Sequence, residues 1–230
     1  MRGNRVGFLH GSEFVNLVRN TIFLKSSANK PWAMRWARAL IVAAACLLGA
    51  PLSMADTWDD VVAAHLAGDD AAALRLALEL AHEGDARAQG LVGFLYLYGN
   101  GVQKDRDQAL NWYRLASEQG DAGAQSNLCA ALSDENSADL DKAIYWCRLS
   151  AAQGYDGGLF QLGVFYLTGR GVEQSILEAY VWLSLAELRA RDPGLRSDAA
   201  KLKAKVMKHL KAAEIAEGDR RISAWKSTQP

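Results

Sequence analysis

Residues 96–125 read YLYGNGVQKDRDQALNWYRLASEQGDAGAQ, and residues 166–186 answer with YLTGRGVEQSILEAYVWLSLA. Each stretch runs through Tyr-Leu, Gly-x-Gly-Val, a helix-capping residue and then Ala-x-x-Trp. The glycines either cradle a phosphate or make a turn. A phosphate cradle follows a strand and continues to a third glycine or to Lys-Ser/Thr, and neither stretch does so. Gly99 and Gly101 instead come directly after an apolar helical stretch, where a residue free to turn left-handed ends a helix and satisfies its last carbonyls. Gly169 and Gly171 stand in the same place. The next helix then needs an N-cap. Asp105, Asp139 and Ser175 occupy that position, with Ser175 and Glu178 spaced as a capping box and Asp105 with Gln108 approximating one. Gly-x-Gly-Val is therefore read as a connector between two helices.

The same design recurs at steps of 34 and 36 residues. GDARAQ begins at Gly84, GDAGAQ at Gly120 and GYDGGL at Gly154. Ala109, Ala143 and Ala179 each stand three residues before a tryptophan, Trp112, Trp146 and Trp182. Within a unit, Ala88, Val92 and Tyr96, then Ala109, Trp112 and Ala116, keep the spacing of a buried helix face. Three stacked units follow, 84–119, 120–153 and 154–190. A shortened leading pair occupies 56–83, with AGDD as its tight turn, and closing helices occupy 191–230. Gly93, Gly163 and the repeat alanines allow close helix approach. The middle unit departs most: Cys129 replaces the glycine, Leu132 replaces the tyrosine, and SDENSADL turns the chain without Gly-x-Gly.

Composition excludes several classes. Lys+Arg and Asp+Glu number 26 each in 230 residues, so no overall charge draws the chain to nucleic acid. Half of the residues are hydrophobic and only four are proline, which suits a helical globular protein. The start differs from the rest. MRWARALIVAAACLLGAPLSMAD, from Met34, has a basic start, an apolar run at 39–50 and a Ser53-Met54-Ala55 cleavage pattern. Residues 34–55 are expected to be a signal peptide cleaved after Ala55, giving a periplasmic or secreted protein. Residues 1–33 show no period and read as an over-long, unstructured start, with Met34 the true one. The rival readings are an uncut membrane anchor at 39–50, which falls short of the ~20 residues that span a bilayer, and a lipoprotein cysteine at Cys46.

The run Ala88-x-x-x-Val92-Gly93-x-x-Tyr96, Gly99-x-Gly101-Val102, Ala109-x-x-Trp112-Tyr113-x-x-Ala116-x-x-x-Gly120 resembles the Sel1-like repeat, the longer relative of the tetratricopeptide repeat. The resemblance implies an all-α fold, a right-handed α-α superhelix with C-terminal capping helices. It also implies a non-enzymatic scaffold of the bacterial envelope that needs no cofactor and binds a protein or peptide in its concave groove. By that analogy the first helix of each unit lines the groove. Positions two after Val92, Leu128 and Leu162 then point into it, which selects Phe94, Ala130 and Val164. One turn earlier and later lie Gly90 and Leu97, Ser126 and Ser133, and Phe160 and Leu167. Such a floor is apolar at both ends and small in the middle, suited to a segment anchoring two hydrophobic side chains. The alternative is that the C-terminal helices fold back and bury Phe94 and Phe160.

A second functional reading is a binder of cell-wall or anionic glycan material. It would use exposed tryptophans and the face of Lys201, Lys205 and Lys208, which otherwise reads as solvated and alternating with buried Leu202, Val206 and Leu210. Trp112, Trp146 and Trp182, placed identically in each unit, read as inter-helix core. A hydrolase lacks any motif. His65, His82 and His209 are scattered without metal-ligand spacing, no nucleophile elbow appears, and Asp59-Asp60 and Asp69-Asp70 sit at helix starts. After cleavage Cys129 and Cys147 alone remain. They face each other across the middle unit, Cys147 standing where the neighbours have Tyr113 and Leu183, and form either a disulfide or two buried thiols.

Overall fold

A computed structural model describes residues 57–133 and 139–228. The expected over-long start, the signal peptide with its apolar run and Cys46, and the centre of SDENSADL lie outside the described residues. The described residues form ten helices and no strand, as the repeat pattern predicts. In chain order these are α1 (Trp58–Leu66), α2 (Asp70–His82), α3 (Ala86–Tyr98), α4 (Arg106–Glu118), α5 (Ala122–Leu132), α6 (Leu140–Ala152), α7 (Asp156–Thr168), α8 (Ile176–Arg189), α9 (Pro193–Met207) and α10 (Ala212–Thr228). Each helix from α1 to α9 packs on its successor, except that α9 and α10 both pack on α8. First helices also touch across units, α3 on α5 and α5 on α7. This nearest-neighbour pattern makes a helical-repeat solenoid.

The turns follow from their residues. Gly99 and Gly169 end α3 and α7 in the left-handed conformation, at φ 78° and 72°. Gly101 is required for a second reason: a Cβ there would lie 2.4 Å from the carbonyl carbon of Asp70. Asp105 and Ser175 cap the helices after these connectors, accepting from the amides of Gln108 and Glu178. Two expectations are corrected. At Ser175 only half of the capping box forms: the Ser175 amide donates to Tyr166 O, and the Glu178 carboxylate accepts from Arg221 at 2.7 and 2.9 Å. Asp139 stands at the N-cap of α6 but makes no side-chain cap bond. Its carboxylate accepts instead from Lys142.

Within each unit the two helices meet most closely at one level. A Cβ on Gly93 would lie 2.7 Å from the Tyr113 ring, and one on Gly163 would lie 2.7 Å from Leu183. In the middle unit that level holds a disulfide between Cys129 and Cys147, both fully buried, with Cα atoms 5.3 Å apart. Trp112, Trp146 and Trp182 are half-buried against the core.

Polar bonds also join the units. Gln89, buried in α3, donates to the carbonyl of Ala81 and accepts from Gln119. Gln125, at the same position in α5, donates to Ser117 and accepts from Gln153. The third unit has the buried apolar Leu159 there. At the C-terminus of α5, Arg106 donates to Ala131 O at 2.6 Å and Arg170 to Ser133 O at 2.9 Å.

The closing helices begin where Pro193 occupies the first turn and Asp192 caps it. They are tied to α8 by Lys203–Glu187, Tyr180–Asp219 and Arg221–Glu178. Burial first, then the Asp219 contact, pushes the Tyr180 phenol up to about 12. Lys201, Lys205 and Lys208 are exposed while Val206 is buried, so this face is the solvated one.

Candidate functional site

The first helices α1, α3 and α5 come together around a hollow. Trp58 and His65 enter it from α1, Arg87, Gly90 and Phe94 from α3, and Asp121, Gly123 and Asn127 from α5 and its cap. These positions fall on one helix face because they are spaced by three, four or seven residues. The two glycines leave room for the larger side chains around them. A Cβ on Gly90 would already touch Ala124 at 3.8 Å.

Phe94 is half-buried, and its ring neighbours are His65, edge-on with centroids 6.2 Å apart, and Tyr98 at 4.7 Å. The fold-back alternative is thereby corrected for Phe94: α9 and α10 pack at the far end, on α8, and the ring is half-covered by α1 and its own helix. Tyr98 is 62% exposed and Leu66, next to His65, is 81% exposed, so the hollow opens onto an apolar rim.

The other five positions chosen from sequence do not line this hollow. Leu97, Phe160 and Leu167 are half-buried against the core, Val164 is half-buried, and Ala130 is exposed. Trp58, His65, Arg87 and Asn127 were missed. The available signal was small: a tryptophan opening the leading unit, faced by Gly90 and Gly123 in the first helices of the next two units.

The polar groups of the hollow are tied to one another. Arg87 lies over the Trp58 ring, 5.0 Å from its centroid, and donates to Asp85 at 2.7 and 3.3 Å. That hydrogen bond holds the Asp85 carboxyl below its usual range and raises Arg87, to which Asp59 also contributes. His65 Nδ1 bonds Asp70 at 2.8 Å. Asp121 accepts from the Ala124 amide at 2.6 Å, and burial, with Asp156 and Asp121 nearby, pushes the Tyr155 phenol up. His82 packs edge-on to Trp112 and shares no site with His65. Among the described residues no cluster of His, Cys, Asp or Glu is arranged to hold a metal. No helix among them is long and apolar enough to cross a membrane. The hollow offers the aromatic faces of Trp58 and Phe94, the Asn127 amide and the charged Arg87 and Asp121.

A solenoid of helix pairs, each packed on its neighbours, belongs to the class of helical-repeat folds. The repeats themselves are Sel1 repeats, matched at residues 86–121, 122–155 and 157–188. These matched units begin at or next to the first residues of α3, α5 and α7. Two solved structures are similar. One is a Sel1 repeat protein from Oxalobacter formigenes, 28% identical with a TM-score of 0.51, covering 56% of this chain and 53% of that one. The other is a protective antigen present in uropathogenic Escherichia coli strains that displays an SLR fold. It is 26% identical with a TM-score of 0.50, covering 67% of this chain and 40% of that one. The chain thus matches about half or less of the length of these structures. Sel1 repeats generally mediate protein–protein interaction, and the fold is generally a non-catalytic scaffold.

Proposed function

We propose that the chain is a non-enzymatic scaffold of the periplasm or extracellular space that binds a protein or peptide segment along the face of its first helices. The observation that carries this reading is the half-open Phe94, flanked by His65 and the exposed Tyr98 on a face that the closing helices leave to α1, α3 and α5. The compartment is supported by the leader pattern of residues 34–55 and by the paired Cys129 and Cys147, since disulfides persist in oxidising surroundings.

The test is capture from an envelope extract by the wild type, Phe94→Ser and Phe160→Ser, each with its melting temperature, beside a peptidoglycan sedimentation arm. Loss of a specific captured protein in Phe94→Ser at unchanged melting temperature supports the groove. Undiminished capture by that variant, or sedimentation with peptidoglycan in place of protein capture, overturns it.

A further inference from the structure

We infer that the segment taken by this face is basic and sets one aromatic or large aliphatic side chain against Phe94 and Tyr98. This rests on the groove reading above and names the chemistry of its partner. Four carboxylates, Asp59, Asp70, Asp85 and Asp121, border or support the hollow against the single guanidinium of Arg87, a formal balance of −3 with His65 neutral. The N-termini of α1, α3 and α5 return about half a positive charge each, which leaves the balance negative. The rim already shows this chemistry within the chain: Arg87 sits over the Trp58 ring and pairs with Asp85 at 2.7 Å. Aromatic faces backed by carboxylates attract Lys and Arg and repel acidic side chains. Phe94, Tyr98 and Leu66 supply the apolar contact for the anchor. A segment with only the anchor gains no charge complementarity. One with only the charge gains no burial.

The experiment is fluorescence anisotropy of dye-labelled, end-blocked ten-residue peptides against the full chain: one with a central Phe flanked by lysines, its glutamate counterpart, and the lysine peptide with Ala for Phe. The lysine–Phe peptide should bind about 10-fold or more tighter than either control, about 1.4 kcal/mol or more. Raising salt should weaken it. Asp59→Asn, a surface change at an exposed carboxylate, should reduce binding of the lysine–Phe peptide, whereas Asp107→Asn on α4 should not. Equal or tighter binding of the glutamate peptide, equal binding of the Ala peptide, insensitivity to salt, or no binding by any of the three would overturn the inference. Partner capture that still depends on Phe94 would then keep the groove reading, and capture indifferent to Phe94 would remove both.

Discussion

The middle repeat and its two neighbours build the same helix pair with different parts. The outer repeats end their first helices with left-handed Gly99 and Gly169, cap the second with Asp105 and Ser175, and let the helices meet at Gly93 and Gly163. The middle repeat lacks all three devices. A disulfide takes the level of close approach, and at the end of α5 the carbonyls of Ala131 and Ser133 accept from arginines of the units on either side, while Ser133 itself bonds those of Cys129 and Ala130. A repeat that has lost its own turn chemistry is thus held by a covalent bond within and by hydrogen bonds from without. In a solenoid, where each unit leans on its neighbours, such borrowing is open to any internal repeat.

The comparison sharpens most at the disulfide. Replacing Cys129 and Cys147 together by alanine should lower stability by about 3 kcal/mol for a loop of this size. Urea titration of the double variant measures it, and a change near zero would show that packing alone holds the middle repeat. Next comes Gly93→Leu, which drives a side chain into the Tyr113 ring and should cost about 1–3 kcal/mol by overpacking; an unchanged melting temperature would mean that the helices of the first unit can separate freely. Arg170→Met should cost about 1 kcal/mol through the lost bond to Ser133 O, although the residue belongs to the third repeat. Protection of the α5 amides against hydrogen exchange is the readout that locates the effect in the second. The smallest effect separates the caps. Asp105→Ala should cost about 1 kcal/mol, and Asp139→Ala, with no cap bond to lose, less than about 0.5 kcal/mol. Equal costs would show that position 139 caps its helix in solution.

The fold was legible because its determinants repeat. A glycine at each unit start, Gly84, Gly120 and Gly154, and Ala-x-x-Trp in each second helix recur every 34 or 36 residues, and a left-handed glycine or a capping aspartate acts through its immediate neighbours. What sequence did not disclose acts at a distance. Nothing in the sequence pattern marks Gln89 and Gln125 as buried, yet each donates to a carbonyl and accepts from a partner amide. Arg106 and Arg170 reach a helix end 25 and 37 residues away. The capping box at Ser175 is spaced correctly, yet its amide bonds the Tyr166 carbonyl and its Glu178 pairs with a guanidinium 43 residues along the chain. The hollow was hardest to see. Phe94 follows from the analogy of register, but Trp58, His65, Arg87 and Asn127 come from three units at positions that do not repeat from one unit to the next. The leading pair, which supplies two of them, lacks the Gly-x-Gly connector that fixed the register elsewhere.

The account rests on the middle repeat being held from within by its disulfide and from outside by its neighbours. The direct test is hydrogen–deuterium exchange of the chain with the disulfide intact and reduced. Reduction should speed exchange in α5 and α6 first, while α3, α4, α7 and α8 keep most of their protection. Uniform loss along the solenoid, or unchanged protection in α5 and α6, would contradict it.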